Sequence, residues 1–260
     1  MKLYPASYLR KRSLHAQDGE IGRCTDFLFD EESWIVRYFV VDTRKWLPGR
    51  KVVVATSSVG NGSLLDEDGL IRTRLRREQI KDSPPIAEHA PVSMEVEAEL
   101  SAYYGWPVYW DAGNPWGNAV TAPPFGPERN LDEGAQENGG APDTSQQPKD
   151  TGQSRLRSAH RLQGYHLEAR DGPLGHIEDF VFAPDSWLVE LAVLNTRNWL
   201  PGRDLAFAPG WITEIDAIAN RATVDRDRAV LERCPRIDLD EPLSAEEVAD
   251  LRAAIETALG

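Results

Sequence analysis

Apolar residues recur along this chain with period two. Trp34, Val36, Tyr38 and Val40 alternate with Ile35, Arg37, Phe39 and Val41, and Trp187, Val189, Leu191 and Val193 alternate with Leu188, Glu190, Ala192 and Leu194. Such alternation predicts a long, half-buried strand, and the identical Trp, Val and Val of the two runs mark its inner face. Arg23 to Phe29 predicts the preceding strand, with Phe27 and Phe29 repeated as Phe180 and Phe182. Asp18-Gly19 and Asp171-Gly172 are hairpin signals. Leu47-Pro48-Gly49 predicts a tight turn, because Pro presets φ and Gly accepts positive φ. Lys51 to Ala55 resumes the sheet, and Leu70 to Arg74 adds an edge. Short strands at regular spacing, separated by turn signals, predict a small antiparallel barrel or sandwich, and a barrel closes its own edges.

A helix is predicted at the end of each such stretch. Ser244 with Glu247 fits a capping box, Leu243 with Val248 fits the hydrophobic staple around it, and Val248, Leu251, Ile255 and Leu259 form an apolar stripe at helical spacing. Ser93 to Tyr104 is the matching helix upstream. Each stripe either covers its own barrel or its sister, or presents a surface to a partner.

The two stretches are copies. Ala6–Ala55 aligns without a gap with Ala159–Ala208 at a constant offset of 153, and DGEIGRCTDFLFDEESWIVRYFVVDTRKWLPGR matches DGPLGHIEDFVFAPDSWLVELAVLNTRNWLPGR. A repeat of this length is a whole folding unit. The alignment resumes at an offset of 151, where Arg77, Pro84, Pro91, Ser93 and Leu100 match Arg228, Pro235, Pro242, Ser244 and Leu251. Three regions follow: residues 1–104 as repeat 1 with its terminal helix, 105–158 as a linker, and 159–260 as repeat 2 with its C-terminal helix. The fold class expected is mainly β, two tandem small antiparallel barrels each followed by a short α-helix. Within the linker, Asn130 to Gln153 is Gly, Pro, Gln, Asn and Asp with almost nothing apolar, a composition that does not stay ordered. The earlier stretch YYGWPVYW is aromatic, and either packs on its own unit as an extension of the preceding helix or docks on a partner.

Composition narrows the function classes. The net charge of −13 is concentrated late, and residues 159–260 carry 10 basic and 19 acidic side chains. Nucleic-acid binding relies on Lys and Arg against phosphate, so nucleic acid is not an expected partner of repeat 2. Repeat 1 has a basic run, Arg72, Arg74, Arg76 and Arg77, which reads either as the solvated side of an edge strand or as a phosphate-facing patch. No apolar run reaches membrane-span length, and the start lacks a secretory pattern, so a cytoplasmic location is expected, with peripheral membrane contact still allowed. Cys24 and Cys234 do not recur at equivalent positions, which gives no disulfide framework and makes Cys24 a small buried hydrophobe. None of the five His, His15, His89, His160, His166 and His176, recurs in the other copy, and no phosphate loop, zinc spacing or nucleophile elbow is present. No cofactor, no metal and no catalytic residue is expected.

Asp18-Gly19, Gly22, Asp26-Phe27, Trp34 and Thr43-Arg44-x-Trp46-Leu-Pro-Gly-Arg50, with their partners in repeat 2, resemble the PRC-barrel domain. This family is named from the cytoplasmic barrel of the photosynthetic reaction-centre H subunit and also forms the C-terminal domain of the ribosome maturation factor. The match covers roughly 75 residues of each copy. The layout resembles bacterial proteins with two PRC barrels in tandem. The resemblance implies barrels that work through protein contacts rather than catalysis, as an interaction or assembly module for membrane complexes or stress response. The alternative it implies is a ribosome- or RNA-associated maturation factor.

The recurring polar and special residues are the candidate site. Asp18, Gly22, Asp26 and Trp34, with Asp171, Gly175, Asp179 and Trp187, are read as structural. Asp26 either caps a backbone amide or meets Arg44 or Arg50 in an Asp–Arg bridge, and the bridge is the expectation taken forward. Arg44, Trp46 and Arg50, with Arg197, Trp199 and Arg203, are the candidate protein-binding patch, since Trp and Arg are favoured at interface hot spots. Otherwise the two Trp fold over the barrel mouths. The two units are expected to pack on each other, within one chain or in a homodimer.

Overall fold

A computed structural model describes residues 2–44, 46–47, 50–59, 64–84, 93–106, 155–196 and 204–259. Repeat 1 comprises β1 (Lys2–Pro5), α1 (Ala6–Leu9), β2 (Ser13–Ala16), β3 (Gly19–Asp30), β4 (Val36–Asp42), β5 (Lys51–Ala55), β6 (Ile71–Arg72), α2 (Arg77–Asp82) and α3 (Met94–Tyr104). Then come β7 (Leu156–Ser158), α4 (Ala159–Leu162), β8 (His166–Ala169), β9 (Gly172–Phe182), β10 (Val189–Asn195), β11 (Asp204–Phe207), β12 (Ile212–Asp216), β13 (Arg221–Val224), α5 (Arg228–Glu232), β14 (Leu243–Ser244) and α6 (Ala245–Leu259). The fold is mainly β, as the alternation predicts.

The strands form two open sheets rather than two closed barrels. The first runs β5-β4-β3-β2-β6, and the second β11-β10-β9-β8-β13-β12. In both, the Asp-Gly hairpin joins the first two antiparallel strands, and the third lies beside the second (β2, β3, β4 and β8, β9, β10). Parallel pairs β2–β6 and β8–β13 close the other side of each hairpin. Closure is replaced by exchange. The far end of β3 pairs with β7, through Leu28–Ser158 and Asp30–Leu156, and the far end of β9 pairs with β1, through Tyr4–Phe182 and Pro5–Val181. Each long strand is thus split between its own hairpin and the arm of the sister repeat. Residues 156–158, expected as linker, are part of the sheet of repeat 1, and residues 2–5 belong to the sheet of repeat 2. Asn130 to Gln153, the stretch expected to be disordered, lies outside the described residues.

Burial follows from this exchange. The core is one contiguous cluster drawn from both repeats. Phe27 meets Phe182 at 5.2 Å and Phe29 meets Phe180 at 5.3 Å between ring centroids, a reciprocal pair about a pseudo-twofold axis. Phe39 adds an edge contact to Trp187 at 5.4 Å. The expected single inner face of the Trp-bearing strand is corrected here. In β4, Val36 and Tyr38 are buried, but so are Phe39 and Val41, while Val40 is only half-buried. The sister repeat covers one side and the terminal helix with its aromatic extension covers the other.

Trp34 and Trp187 precede their strands rather than lying within them. Both adopt left-handed backbone, at φ 56° and 59°, a region unfavourable for bulky residues. The turn is repaid by contact between repeats. Each Trp carbonyl accepts a bond across the axis, Val189 N–H to Trp34 and Val36 N–H to Trp187, both at 2.8 Å, flanking the Ile35–Leu188 bridge.

The helices behave as their caps predict. The Ser244 and Glu247 reciprocal bonds form at 2.7 and 3.2 Å. Val248, Ile255 and Ala258 are buried, and α6 packs on β11, β14, α5 and β1. Leu259 stays about half exposed. In α3, Leu100 is buried, and the chain continues into Tyr104 and Trp106, which stack at 4.1 Å over Tyr38. Trp106 donates to Ser58 Oγ at 3.0 Å. The part of the aromatic stretch that is described therefore packs on its own repeat, and residues 107–154 lie outside the described residues.

Candidate interaction site

Gly22 and Gly175 sit where the second and third strands come closest. A Cβ at Gly22 would lie 2.0 Å from the Asp42 carbonyl oxygen, and one at Gly175 would lie 2.2 Å from that of Asn195. Both have positive φ, 155° and 145°. Asp18 and Asp171 do more than make the hairpin turn. Each accepts, at 2.8 Å, the first backbone N–H of a distant short helix, Arg77 of α2 and Arg228 of α5. This fastens the helix that follows the sheet to the hairpin that begins it, and α2 in turn leans on the site described next.

Asp26 does not bridge to Arg44 or Arg50. It accepts the His160 N–H at 2.9 Å, the Ser158 hydroxyl, and the Phe27 N–H at 2.7 Å. Asp179 accepts the Ser7 N–H at 3.1 Å, the Ser7 hydroxyl, the Phe180 N–H at 2.8 Å and Gln163 Nε2 at 3.1 Å. The two carboxylates are therefore the sockets for the exchanged arms. The first turns of α4 and α1 present amide N–H groups, and a carboxylate of the other repeat, half-buried at Asp26 and buried at Asp179, receives them. Burial raises both carboxyl pKa values above the ordinary range, and the donated hydrogen bonds oppose that rise. Desolvation wins because each carboxylate is enclosed by the two repeats.

The Thr-Arg-x-Trp turn of repeat 1 lies between β4 and β5. Thr43 is fully buried, and its hydroxyl donates to the Arg50 carbonyl at 2.7 Å. Arg44 grips Asp42 through its Nε at 2.9 Å, which holds the Asp42 carboxyl below the usual range. Trp46 donates its indole N–H to the Ile21 carbonyl and lies under the Arg77 guanidinium at 4.4 Å. Arg50 donates to the Lys81 carbonyl at 2.7 Å and to the Ser83 carbonyl, at the end of α2. Trp46 and Arg50 thus tie the turn to the sheet and to α2, and Arg44, with 65% of its side chain exposed, is the member that faces solvent. Arg197, Trp199 and Arg203 lie outside the described residues. The basic run is partly engaged as well: Arg72 pairs with Asp66 at 2.6 Å on the edge strand β6, and Arg74 donates to the Val59 carbonyl at 3.2 Å.

One feature beyond the reach of the sequence is a cleft of about 630 Å³ where the arm of repeat 1 crosses β9. Ser7, Arg10, Glu178, Asp179, Arg236 and Asp238 are among the residues that line it. Arg10 also meets the ring of His160. Its lining comes from five separated stretches of chain and from both repeats, so no local motif announces it. Among the described residues, no group of three or more His, Cys, Asp or Glu side chains is placed to hold a metal ion, and no helix is long and apolar enough to cross a membrane. Both thiols are buried, and burial pushes the Cys24 thiol up strongly and the Cys234 thiol up to about 12.

No family model matches the chain, and no curated protein matches it.

Proposed function

We propose that the chain is a non-enzymatic interaction and assembly module of PRC-barrel type, in which two tandem units form one rigid body and present the Arg44 turn to a protein partner. The observation that carries this reading is the use of the residues common to both copies. Gly22 and Gly175 permit strand approach, Asp18 and Asp171 fasten helices, and Asp26 and Asp179 receive the exchanged arms. Each of these contacts holds backbone in place, which is the work of a scaffold. A duplicated enzyme would be expected to keep its acid–base groups in common and facing solvent.

Assembly of membrane complexes, stress response, a bacterial origin and a cytoplasmic location belong to the same proposal through the resemblance. The RNA-associated alternative draws on Arg72–Arg77, but Arg72 and Arg77 are engaged with Asp66 and Trp46, which favours the protein-binding reading.

The test uses the full chain with a photoreactive residue in place of Arg44 to capture and identify a partner, followed by calorimetry with that partner in purified form. Arg44→Glu is expected to weaken Kd about tenfold or more, the scale of a hot-spot contact, while loss of the exposed Arg44–Asp42 pair lowers stability by no more than about 1 kcal/mol. An unaltered Kd for a folded Arg44→Glu chain refutes the role of this turn. Substrate turnover that disappears on replacing Asp26 or Asp179 in a still-folded chain refutes the scaffold reading itself.

A further inference from the structure

The contact between the repeats is isologous. The same positions act on both sides at an offset of 153: Phe27 with Phe182 against Phe29 with Phe180, Trp34 with Val189 against Val36 with Trp187, and Asp26 with the His160 amide against Asp179 with the Ser7 amide. Neither repeat completes its own long strand. β3 takes β7 and β9 takes β1, so each unit carries a groove shaped for the arm of another unit of the same kind. This is the geometry of a C2 dimer interface written into one chain. Between its halves, Trp106 and Arg155, lie residues 107–154 of the sequence.

We propose that these two grooves are homotypic binding sites, and that a second copy of this chain occupies them by exchanging halves. In the exchanged dimer, repeat 1 of one copy seats its arm on β9 of its partner, and repeat 1 of the partner does the same in return. Every contact of the closed chain is made twice, with no new surface needed. The choice between closure within one chain and exchange between two is then set by the connection and by concentration alone. For a connection that spans the sites, closure within the chain acts as an effective concentration on the order of 1 mM, so exchange grows as chain concentration during folding approaches that value. A connection too short to span the sites forces exchange.

Ile35 and Leu188 provide the reporter. They form a non-hydrogen-bonded antiparallel pair, because the bonds flanking them run from Val36 to Trp187 and from Val189 to Trp34. Such pairs hold their Cα atoms about 4.5 Å apart, within reach of a disulfide. Full chains carrying Ile35→Cys are mixed with full chains carrying Leu188→Cys, unfolded in urea, refolded together over a range of concentrations, and oxidised. Covalent dimers joining one chain of each kind are expected, rising with concentration, while the double variant Ile35→Cys/Leu188→Cys closes on itself when dilute. A second pair of chains also lacks residues 107–154. It is expected to be dimeric at all concentrations by light scattering and to cross-link in the same way. A shortened chain that is folded and monomeric overturns the proposal. If the shortened chain fails to fold, the full-length pair decides: a self-closing double variant together with no cross-link between chains at any concentration overturns it equally.

Discussion

Asp179 provides a sharp test of how the repeats are held. Its carboxylate is buried and accepts from Ser7 N–H, Ser7 Oγ, Phe180 N–H and Gln163 Nε2. Replacement by Ala leaves two main-chain amides without that acceptor, and each buried unsatisfied N–H costs roughly 1–3 kcal/mol. The Ser7 hydroxyl can rotate, and Gln163 borders the cleft, so these two add little. Against this stands relief of a desolvated carboxylate, whose raised pKa shows that burial outweighs its bonds. The offset is partial, because the cavity left beside β9 returns no contacts. A net loss of about 2–3 kcal/mol is expected for Asp179→Ala. Asp179→Asn separates the terms. Its carbonyl oxygen keeps the Phe180 and Ser7 amides, which both reach Oδ1, and only the second acceptor is lost, so about 1 kcal/mol is expected. Urea unfolding followed by Trp fluorescence reads both, since Trp34 and Trp187 lie in the contact between repeats. An Asp179→Ala chain as stable as the parent, or an Asn variant as damaged as the Ala variant, refutes the view that this carboxylate works as an acceptor for the exchanged arm.

Three further outcomes follow from the same geometry. Because burial raises the Asp26 and Asp179 carboxyls above the ordinary carboxylate range, the folded chain binds protons that the unfolded chain releases; their contribution to stability is full below the unfolded value and is lost as pH rises through the raised folded values. The stability of the parent relative to Asp179→Asn should therefore improve as pH falls from about 7 to about 4, and a flat difference would contradict the shift. Asp42 acts in the opposite sense, since Arg44 holds its carboxyl low, so its contribution is lost as pH falls through the lowered folded value. Gly22→Ala and Gly175→Ala should each cost about 3 kcal/mol or more by thermal or urea melting, because backbone carbonyl oxygens occupy the space of the new methyl and φ is positive. Cys24 and Cys234 should resist alkylation at mildly alkaline pH until the chain unfolds, because burial keeps both thiols protonated; rapid native-state labelling monitored by mass spectrometry would contradict their placement.

Much of the local architecture is legible from residues. Asp-Gly placed the hairpins, Ser244 with Glu247 placed the start of α6, and Leu70 to Arg74 placed an edge strand, seen as β6. These signals are local, acting through dihedral preference or bonds a few residues apart. The reading of Trp34 as part of the strand illustrates where locality fails. Alternation counted it as an inward residue of an extended run, yet it adopts left-handed backbone, because its carbonyl bonds to Val189 in the other repeat. The expected barrel fails for the same reason: alternation predicts strands but does not say which strand pairs along each part of a long one, and here the sister arms take the far ends of β3 and β9.

The Asp26 socket shows how recurrence can point to a residue and still hide its partner. Aligning the copies singled out Asp26 and Asp179, but the nearest recurring cations, Arg44 and Arg50, drew the inference toward an ion pair. The true donors do not recur as side chains. The shared bond comes from one backbone position, the amide of Ser7 in one copy and of His160 in the other, and a backbone N–H leaves no trace in an alignment. The accompanying hydroxyl comes from Ser7 on one side and from Ser158, two residues earlier in register, on the other. A recurring carboxylate can therefore be an acceptor for main chain even where cations recur beside it in the sequence. In a duplicated chain, that main chain can belong to the sister copy, and this contact joins the exchanged strands and the shared aromatic core in linking the two repeats.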